Sequence, residues 1–530
     1  MEAVDGLGHD ARASGLSYAS GTAEKEGLGQ GIVADGVLEC GGDGLLPDNG
    51  VEGRGPVFSC RYDEILHDGF ETNSNDKDIL FFRLLGVCPF FLCKFAQSFN
   101  STMLILVPKI TNRLHYAFDF VFGMLGIPFE LTTNGSSFRD REGPKMSYGP
   151  QPLWDEPFQK SVGLLFERDL YEQDLKPIDF NEVKAIFPVY SQRSLMPFDV
   201  FAATFYLLSR YEEYLPQVRD QYGRFTPESS CLYQMGVLAK PVVDLWIIEF
   251  AHRLGVEKEI KPKKFVFQPT YDIDAAWAYL HKGFFRTMGA IARDFVEGDW
   301  KEIGHRNRVI FKHEKDPFDS FEFQFQLQEE FHLKPIYFIH CGDYDTNDKS
   351  IPIRKDAFRA LIKRIGDYAD VGIHPSFSSY LDPVRLQTEV ERLSAILNRE
   401  VTKSRQHFLR MTLPRSYQRL IELDIKDDYT MGYASQVGFR AGTSFQFRFY
   451  DLENDNVTSL WIHPFAVMDG TLKDYLNLSV TESYNKIFEV MNEVKKVNGT
   501  FIYLTHNETL GGQKRWVGWP EMYRKVLENC

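Results

Sequence analysis

Hydrophobic and polar positions change rhythm twice along the chain. Up to about residue 100 there is no helical or strand period, and fourteen of the 40 glycines fall between Gly6 and Gly55. Ordering such a stretch costs backbone entropy with little burial in return. Residues 1–102 are therefore expected to be a disordered or extraneous extension, and a chain starting at Met103 is expected to keep its thermal stability. The one apolar run here, Ile79 to Ala96, contains Arg83 and Lys94, and internal cations weaken a membrane span.

From Met103 the sequence Met-Leu-Ile-Leu-Val predicts a buried strand, and Asn112–Met124 an amphipathic helix. Further helices are predicted over Pro197–Tyr214 and Val242–Leu254, which together suggest a smaller α/β domain over 103–262. From residue 263 to the end, short apolar strands alternate with helical stretches. The strands are predicted at Phe265–Tyr271, Ile336–His340, Val371–His374, His407–Met411, Met431–Tyr433, Ser459–His463 and Phe501–Thr505. Helices over Arg354–Tyr368 and Asp382–Leu397 separate several of them. This alternation predicts a parallel sheet, and about seven strands suggest a distorted (β/α) barrel. In such barrels the C-terminal strand ends carry the chemistry.

Composition narrows the function classes. Of the 530 residues, 43% are hydrophobic and 25% charged, as in ordinary soluble globular proteins. A net charge of -14 argues against a nucleic-acid-binding surface, which needs clustered Lys and Arg. Aromatic residues reach 14%, enough for a large core and for stacking platforms under sugar rings. Seven cysteines without a CxxC pair argue against a disulfide framework or a cysteine zinc knuckle, and Cys231 and Cys341 read as small buried hydrophobes. No basic-then-apolar leader opens the sequence, so a cytoplasmic location and no membrane contact are expected.

The candidate chemistry sits at predicted strand ends. The first strand ends Pro269-Thr-Tyr-Asp-Ile-Asp274. Carboxylates at i and i+2 face one side of an extended chain, and two so close need a metal or a raised pKa. One as ligand and one as base is a sensible division. Asp274 could equally cap a helix beginning at Ala275-Ala276-Trp277. His374 ends Val371-Gly-Ile-His, and a lone histidine there fits a metal ligand or a hydrogen-bonded structural residue. The next predicted strand places Arg405 and His407 on one face, and the last ends Leu504-Thr-His506-Asn-Glu508.

These motifs resemble the polysaccharide deacetylases of the NodB homology type (carbohydrate esterase family 4). Thr270-Tyr-Asp272-Ile-Asp274 resembles that family's Thr-Phe-Asp-Asp motif with one residue inserted, and Leu504-Thr-His506 resembles its final Leu-x-His. Gly438-Phe-Arg440-Ala-Gly-Thr443 and Asp427–Tyr433 look like a divergent branch whose members carry an extra N-terminal α/β region. The likeness spans about residues 264–512. It departs at the second motif, where the family has two histidines four apart and this chain has His374-Pro-Ser-Phe-Ser378. His407 is the candidate for the missing imidazole, because a catalytic zinc site usually has three protein ligands.

The resemblance implies a NodB-like barrel with one divalent metal ion, expected to be Zn²⁺, held by Asp274, His374 and His407. It implies metal-dependent hydrolysis of N-acetyl groups on an amino-sugar polysaccharide or its precursor. Asp272 would be the general base, Arg440 its orienting partner and His506 the general acid. Asp469 and Glu508 are candidates for substrate binding, and Asp469 could instead hold His506. The alternatives are an inactive carbohydrate-binding protein on the same scaffold and a structural partner in a polysaccharide-assembly complex.

Overall fold

Helix Asn112–Leu125 begins where Thr111 accepts a hydrogen bond from the Leu114 N–H, and it stops at Gly126, whose φ of 70° suits glycine. It belongs to a computed structural model that describes residues 102–257 and 263–530. The expected extension and its apolar run 79–96 lie outside the described residues. The inner face of this helix, including Phe118 and Phe122, is fully buried. Phe118 stacks on Phe201 of helix Val200–Leu208 at 3.9 Å. Beside these helices lies a four-stranded parallel sheet in the order β2-β1-β3-β4. Its strands are β1 (Met103–Leu106), β2 (Phe129–Thr132), β3 (Lys145–Gly149) and β4 (Phe158–Lys160). A two-stranded antiparallel ribbon, β5 (Ile178–Phe180) with β6 (Val183–Ala185), follows.

The helix predicted over 197–214 is shorter than expected. Asp199 caps its start by accepting from the Phe201 and Ala202 N–H groups, and the α-helix ends at Leu208. Arg210 then adopts φ 55°, and a 3₁₀ turn follows over Tyr211–Tyr214. The turn lets the buried Arg210 guanidinium reach Glu212 at 2.7 Å and Glu213 at 2.8 Å.

The second sheet has nine strands in the order β12-β13-β11-β10-β9-β8-β7-β15-β14. They are β7 (Val266–Ile273), β8 (Ile336–Ile339), β9 (Asp370–Ile373), β10 (Lys403–Ser404), β11 (Asp427–Asp428), β12 (Phe447–Asp451), β13 (Asn456–Ile462), β14 (Val467–Met468) and β15 (Thr500–His506). All ladders are parallel except the β12–β13 hairpin. The final long strand β15 pairs with the first, β7, as in a singly wound ring. No ladder joins β14 to β12, so among the described residues the sheet is open and the expected barrel of about seven strands is not closed. The chain passes from β13 to β14 through Pro464, which has no N–H for a ladder, and helix Asn112–Leu125 packs against β13.

Strand alternation separates two environments. Ile336 and Phe338 of β8 and Ile502 and Leu504 of β15 share one apolar cluster with Tyr429 and Phe465. Their neighbours Tyr337, Ile339, Phe501 and Tyr503 join the main core under the helices. Gly372 of β9 makes room for the first cluster, because a Cβ there would sit 2.7 Å from the Phe338 ring and 2.8 Å from the Lys403 carbonyl oxygen.

Glu213 also receives Arg440, at 2.8 and 2.5 Å from Nε and Nη2. Burial opposes its charge, yet Arg440 and then Arg210 hold the Glu213 carboxyl down to about 2. Replacing Arg440 with Met leaves that buried carboxylate short of a counter-charge, and should cost about 3–5 kcal/mol in urea unfolding. A loss below about 1 kcal/mol would contradict this role. Cys231 and Cys341 are buried and free. Among the described residues no helix is long and apolar enough to cross a membrane.

Candidate metal centre

Six of the expected residues line one cavity of about 240 Å³: Asp272, Asp274, His374, His407, His506 and Glu508. The register explains three of them. Asp272 on β7 lies opposite His506 on β15, and Asp274 follows one pleat later, just past the strand end. No helix begins at Asp274; residues 275–283 are turns and coil. His374 directly follows β9, on the same face as Gly372.

His407 arrives differently from the expectation. The strand predicted at His407–Met411 is a 3₁₀ turn over His407–Leu409, which begins three residues past the end of β10. Phe408 and Leu409 sit at φ 60° and 54°. Left-handed backbone at bulky residues costs on the order of 1–3 kcal/mol each, so the surrounding packing must hold this turn. The strand predicted at Met431–Tyr433 is likewise displaced, to β11.

Each imidazole is oriented through Nδ1. His374 Nδ1 lies 2.6 Å from the Arg405 carbonyl oxygen, which can only accept, so Nδ1 carries the proton. His407 Nδ1 lies 3.0 Å from the buried Asp348 carboxylate, and His506 Nδ1 lies 2.7 Å from Asp469. The Nε2 atoms then converge on Asp274. His374 Nε2 is 3.1 Å from Oδ1, while His407 Nε2 is 3.5 Å and His506 Nε2 3.9 Å from Oδ2. Burial disfavours charge on His407, but Asp274 and Asp348 outweigh it and push the imidazole up to about 9. Burial likewise opposes charge on Asp274, and His407 leads the groups that hold its carboxyl well below the usual range. For His506 burial is overcome chiefly by Asp469, which raises its pKa well above the ordinary value.

This donor set fits a divalent ion. One carboxylate oxygen and two imidazole nitrogens, from Asp274, His374 and His407, lie within 4.8 Å of one another. Two ligands at about 2.0–2.1 Å from a tetrahedral zinc are about 3.3 Å apart; His374 Nε2 lies 3.1 Å from one Asp274 oxygen and His407 Nε2 3.5 Å from the other. Asp274 Oδ1 is buried yet has no hydrogen-bond partner, as an oxygen reserved for a cation would be. Ser378, at the place of the resembled family's second histidine, instead gives its hydroxyl to Asp345 and Asp348. His340, Asp348 and His407 form a second cluster, which its hydrogen bonds of 3.1 and 3.0 Å explain without an ion.

Two assignments need correction. Arg440 does not reach Asp272, because its guanidinium is committed to Glu213 and the Gly432 carbonyl. Arg405 takes that place: its Nη1 lies 2.9 Å from Asp272 Oδ1 and 2.8 Å from Thr270 Oγ1, and its guanidinium sits over the Phe338 ring at 4.5 Å. Asp469 is fully buried behind His506, and its oxygens accept from the His506 ring and backbone, the Gly470 N–H and Thr509. It positions His506 and cannot touch a substrate. Glu508 lines the cavity, where its Oε1 accepts from Arg515 at 2.6 Å and from Trp516 at 3.1 Å.

Sequence reasoning missed Asp348, which lies in a loop with no periodic signal. It also missed Arg224, which lines the cavity from the N-terminal region. Arg224 bonds Asp220 at 2.6 Å, the Phe408 carbonyl oxygen at 3.1 Å and Tyr475 Oη at 3.1 Å. The strained turn carrying His407 is thus braced from residues 103–258.

Those same residues match the model of a family of unknown function, DUF7033. No curated protein matches the chain. Three solved structures overlap about half of it. A Mycobacterium smegmatis protein described as a polysaccharide deacetylase is 14% identical, covering 50% of this chain and 85% of its own at a TM-score of 0.35. The Puue allantoinase is 7% identical, with 50% and 84% covered and a TM-score of 0.33. The polysaccharide deacetylase Bc1974 from Bacillus cereus is 10% identical, with 51% and 88% covered and a TM-score of 0.26. Superpositions this loose leave the residues of the site to carry the function.

Proposed function

We propose that the chain is a metal-dependent amide hydrolase that removes N-acetyl groups from an amino-sugar polysaccharide or its precursor. The observation that carries this is the convergence of the Asp274 carboxylate with two Nε2 atoms, from His374 and His407, between Asp272 and His506. Asp274, His374 and His407 would hold the ion, expected to be Zn²⁺. When bound, a divalent ion supplies Lewis acidity toward the amide carbonyl and lowers the pKa of water.

The remaining chemistry belongs to the chain's own residues. Asp272 takes a proton from the attacking water; Arg405 fixes its Oδ1 and leaves Oδ2 3.8 Å from His374 Nε2. His506, charged through Asp469, delivers a proton from Nε2 to the leaving nitrogen, so the amide and water become acetate and a free amine. Phe408, Tyr475 and Trp516 line the same cavity and offer the apolar faces on which a sugar ring packs.

Assay of acetate release from N-acetylated glycans, with Zn²⁺, Co²⁺ or Ni²⁺ added, tests this directly. Release that chelation abolishes is expected. Glycan binding with no release under any of the three metals would overturn hydrolysis and leave a carbohydrate-binding protein on this scaffold.

A further inference from the structure

A second cavity of about 690 Å³ adjoins the candidate metal centre. It shares Glu508, Arg515 and Trp516 with the first. Another of its walls is the pair of helices Phe284–Val296 and Trp300–Lys312. Lys282, Arg286, Arg293, Arg306, Lys349 and Lys514 line it together with Arg515, and the lining acids are Glu302 and Glu508. Arg293 and Arg306 pair with Asp294, Lys514 with Glu302 and Arg515 with Glu508 and Asp474. Lys282, Arg286 and Lys349 keep no carboxylate partner among the described residues, a local surplus of positive charge in a chain of net charge -14.

Two of these cations have donor capacity to spare. Arg306 is 5% exposed; its Nη2 meets Asp294 at 2.6 Å, but its Nε is buried with no hydrogen-bond partner. Among the described residues Lys282 has no carboxylate within ion-pair distance, and burial followed by the nearby Arg286 pushes it down to about 8. The guanidinium forks are held in place by aromatic faces. Arg306 lies 4.7 Å from the Tyr279 ring centroid and Arg286 4.0 Å from that of Tyr344, while Arg286 also donates to the Ser350 carbonyl oxygen at 2.8 Å.

We propose that this cavity binds a phosphate group, carried by the sugar whose acetyl group faces the neighbouring metal centre. Phosphate brings up to about two negative charges and three acceptor oxygens, which suit several guanidinium and ammonium groups better than the single charge of a carboxylate. The phosphate site stands on its own residues; that its occupant is the substrate rests on the function proposed above. The same chemistry is offered by a soluble sugar phosphate and by a phosphorylated lipid at a membrane surface. The helical wall exposes Phe284, Phe285, Phe295 and Phe311 on its outer side, so both sources must be tried.

The test titrates the full chain with N-acetylglucosamine 1-phosphate, and separately with phosphatidylcholine vesicles with and without phosphatidic acid. Saturable, phosphate-dependent binding is expected in at least one arm, and the arm that responds names the source. Lys282→Met or the exposed Lys514→Gln should weaken it about tenfold. No saturable binding in either arm, or wild-type affinity in both cation variants, overturns the phosphate site. Acetate release without phosphate binding refutes the phosphate site and spares the metal centre. Phosphate binding without acetate release keeps the site and refutes its link to hydrolysis.

Discussion

Asp272→Asn should leave the metal content unchanged while lowering kcat by about 10²–10⁴-fold, with little change in KM. The amide keeps the volume and the hydrogen bond from Arg405, but it cannot take a proton. Asp272 is 2% exposed, and its nearest imidazole, His374 Nε2, stands 3.8 Å away, whereas Asp274 lies 3.1 Å from the same atom. In the proposed mechanism that difference separates base from ligand. Steady-state kinetics together with elemental analysis of the variant check it. Loss of metal in Asp272→Asn would place this carboxylate among the ligands and remove the base from the account.

Arg405→Met should be among the most damaging single changes to stability, costing about 3–5 kcal/mol, because it strands a buried carboxylate. Arg405 is fully buried. It donates to Asp272, to Thr270 and, from Nε at 3.0 Å, to the Tyr429 carbonyl oxygen, so one side chain ties β7 to the segments after β10 and β11. The substitution also removes the hydrogen bond that orients the Asp272 carboxylate, so activity should fall with stability. Urea unfolding measures the first effect. A midpoint within error of the wild type would show that Asp272 does not depend on this partner.

The long strands β7, β8, β9, β13 and β15 were legible in the sequence because each holds four or more residues of apolar pattern, and four of the site residues lie in or just beyond them. Strands β10, β11 and β14 have two residues each, too few for any period. The apolar run around His407–Met411 therefore attracted a strand that belongs at Lys403–Ser404. His407 was still a good candidate, since what mattered was its nearness to the end of a strand beside β9. The exchange of Arg405 for Arg440 has another cause. Both are buried arginines beside carboxylates, and which carboxylate each meets depends on pairings across 133 and 227 residues, where local pattern carries no information. Asp348 is recognisable only once His407 is seen to need an acceptor for Nδ1. The same holds for Arg224, whose contribution depends on the N-terminal region folding against the turn at Phe408.

The proposed hydrolysis depends on Asp274, His374 and His407 forming one ion site, so the most direct measurement is the metal stoichiometry of the purified chain and of Asp274→Ala by elemental analysis. One divalent ion per wild-type chain and none in the variant is the predicted result. A wild-type chain that takes up no ion from Zn²⁺, Co²⁺ or Ni²⁺, or an Asp274→Ala variant that keeps a full equivalent, would contradict it.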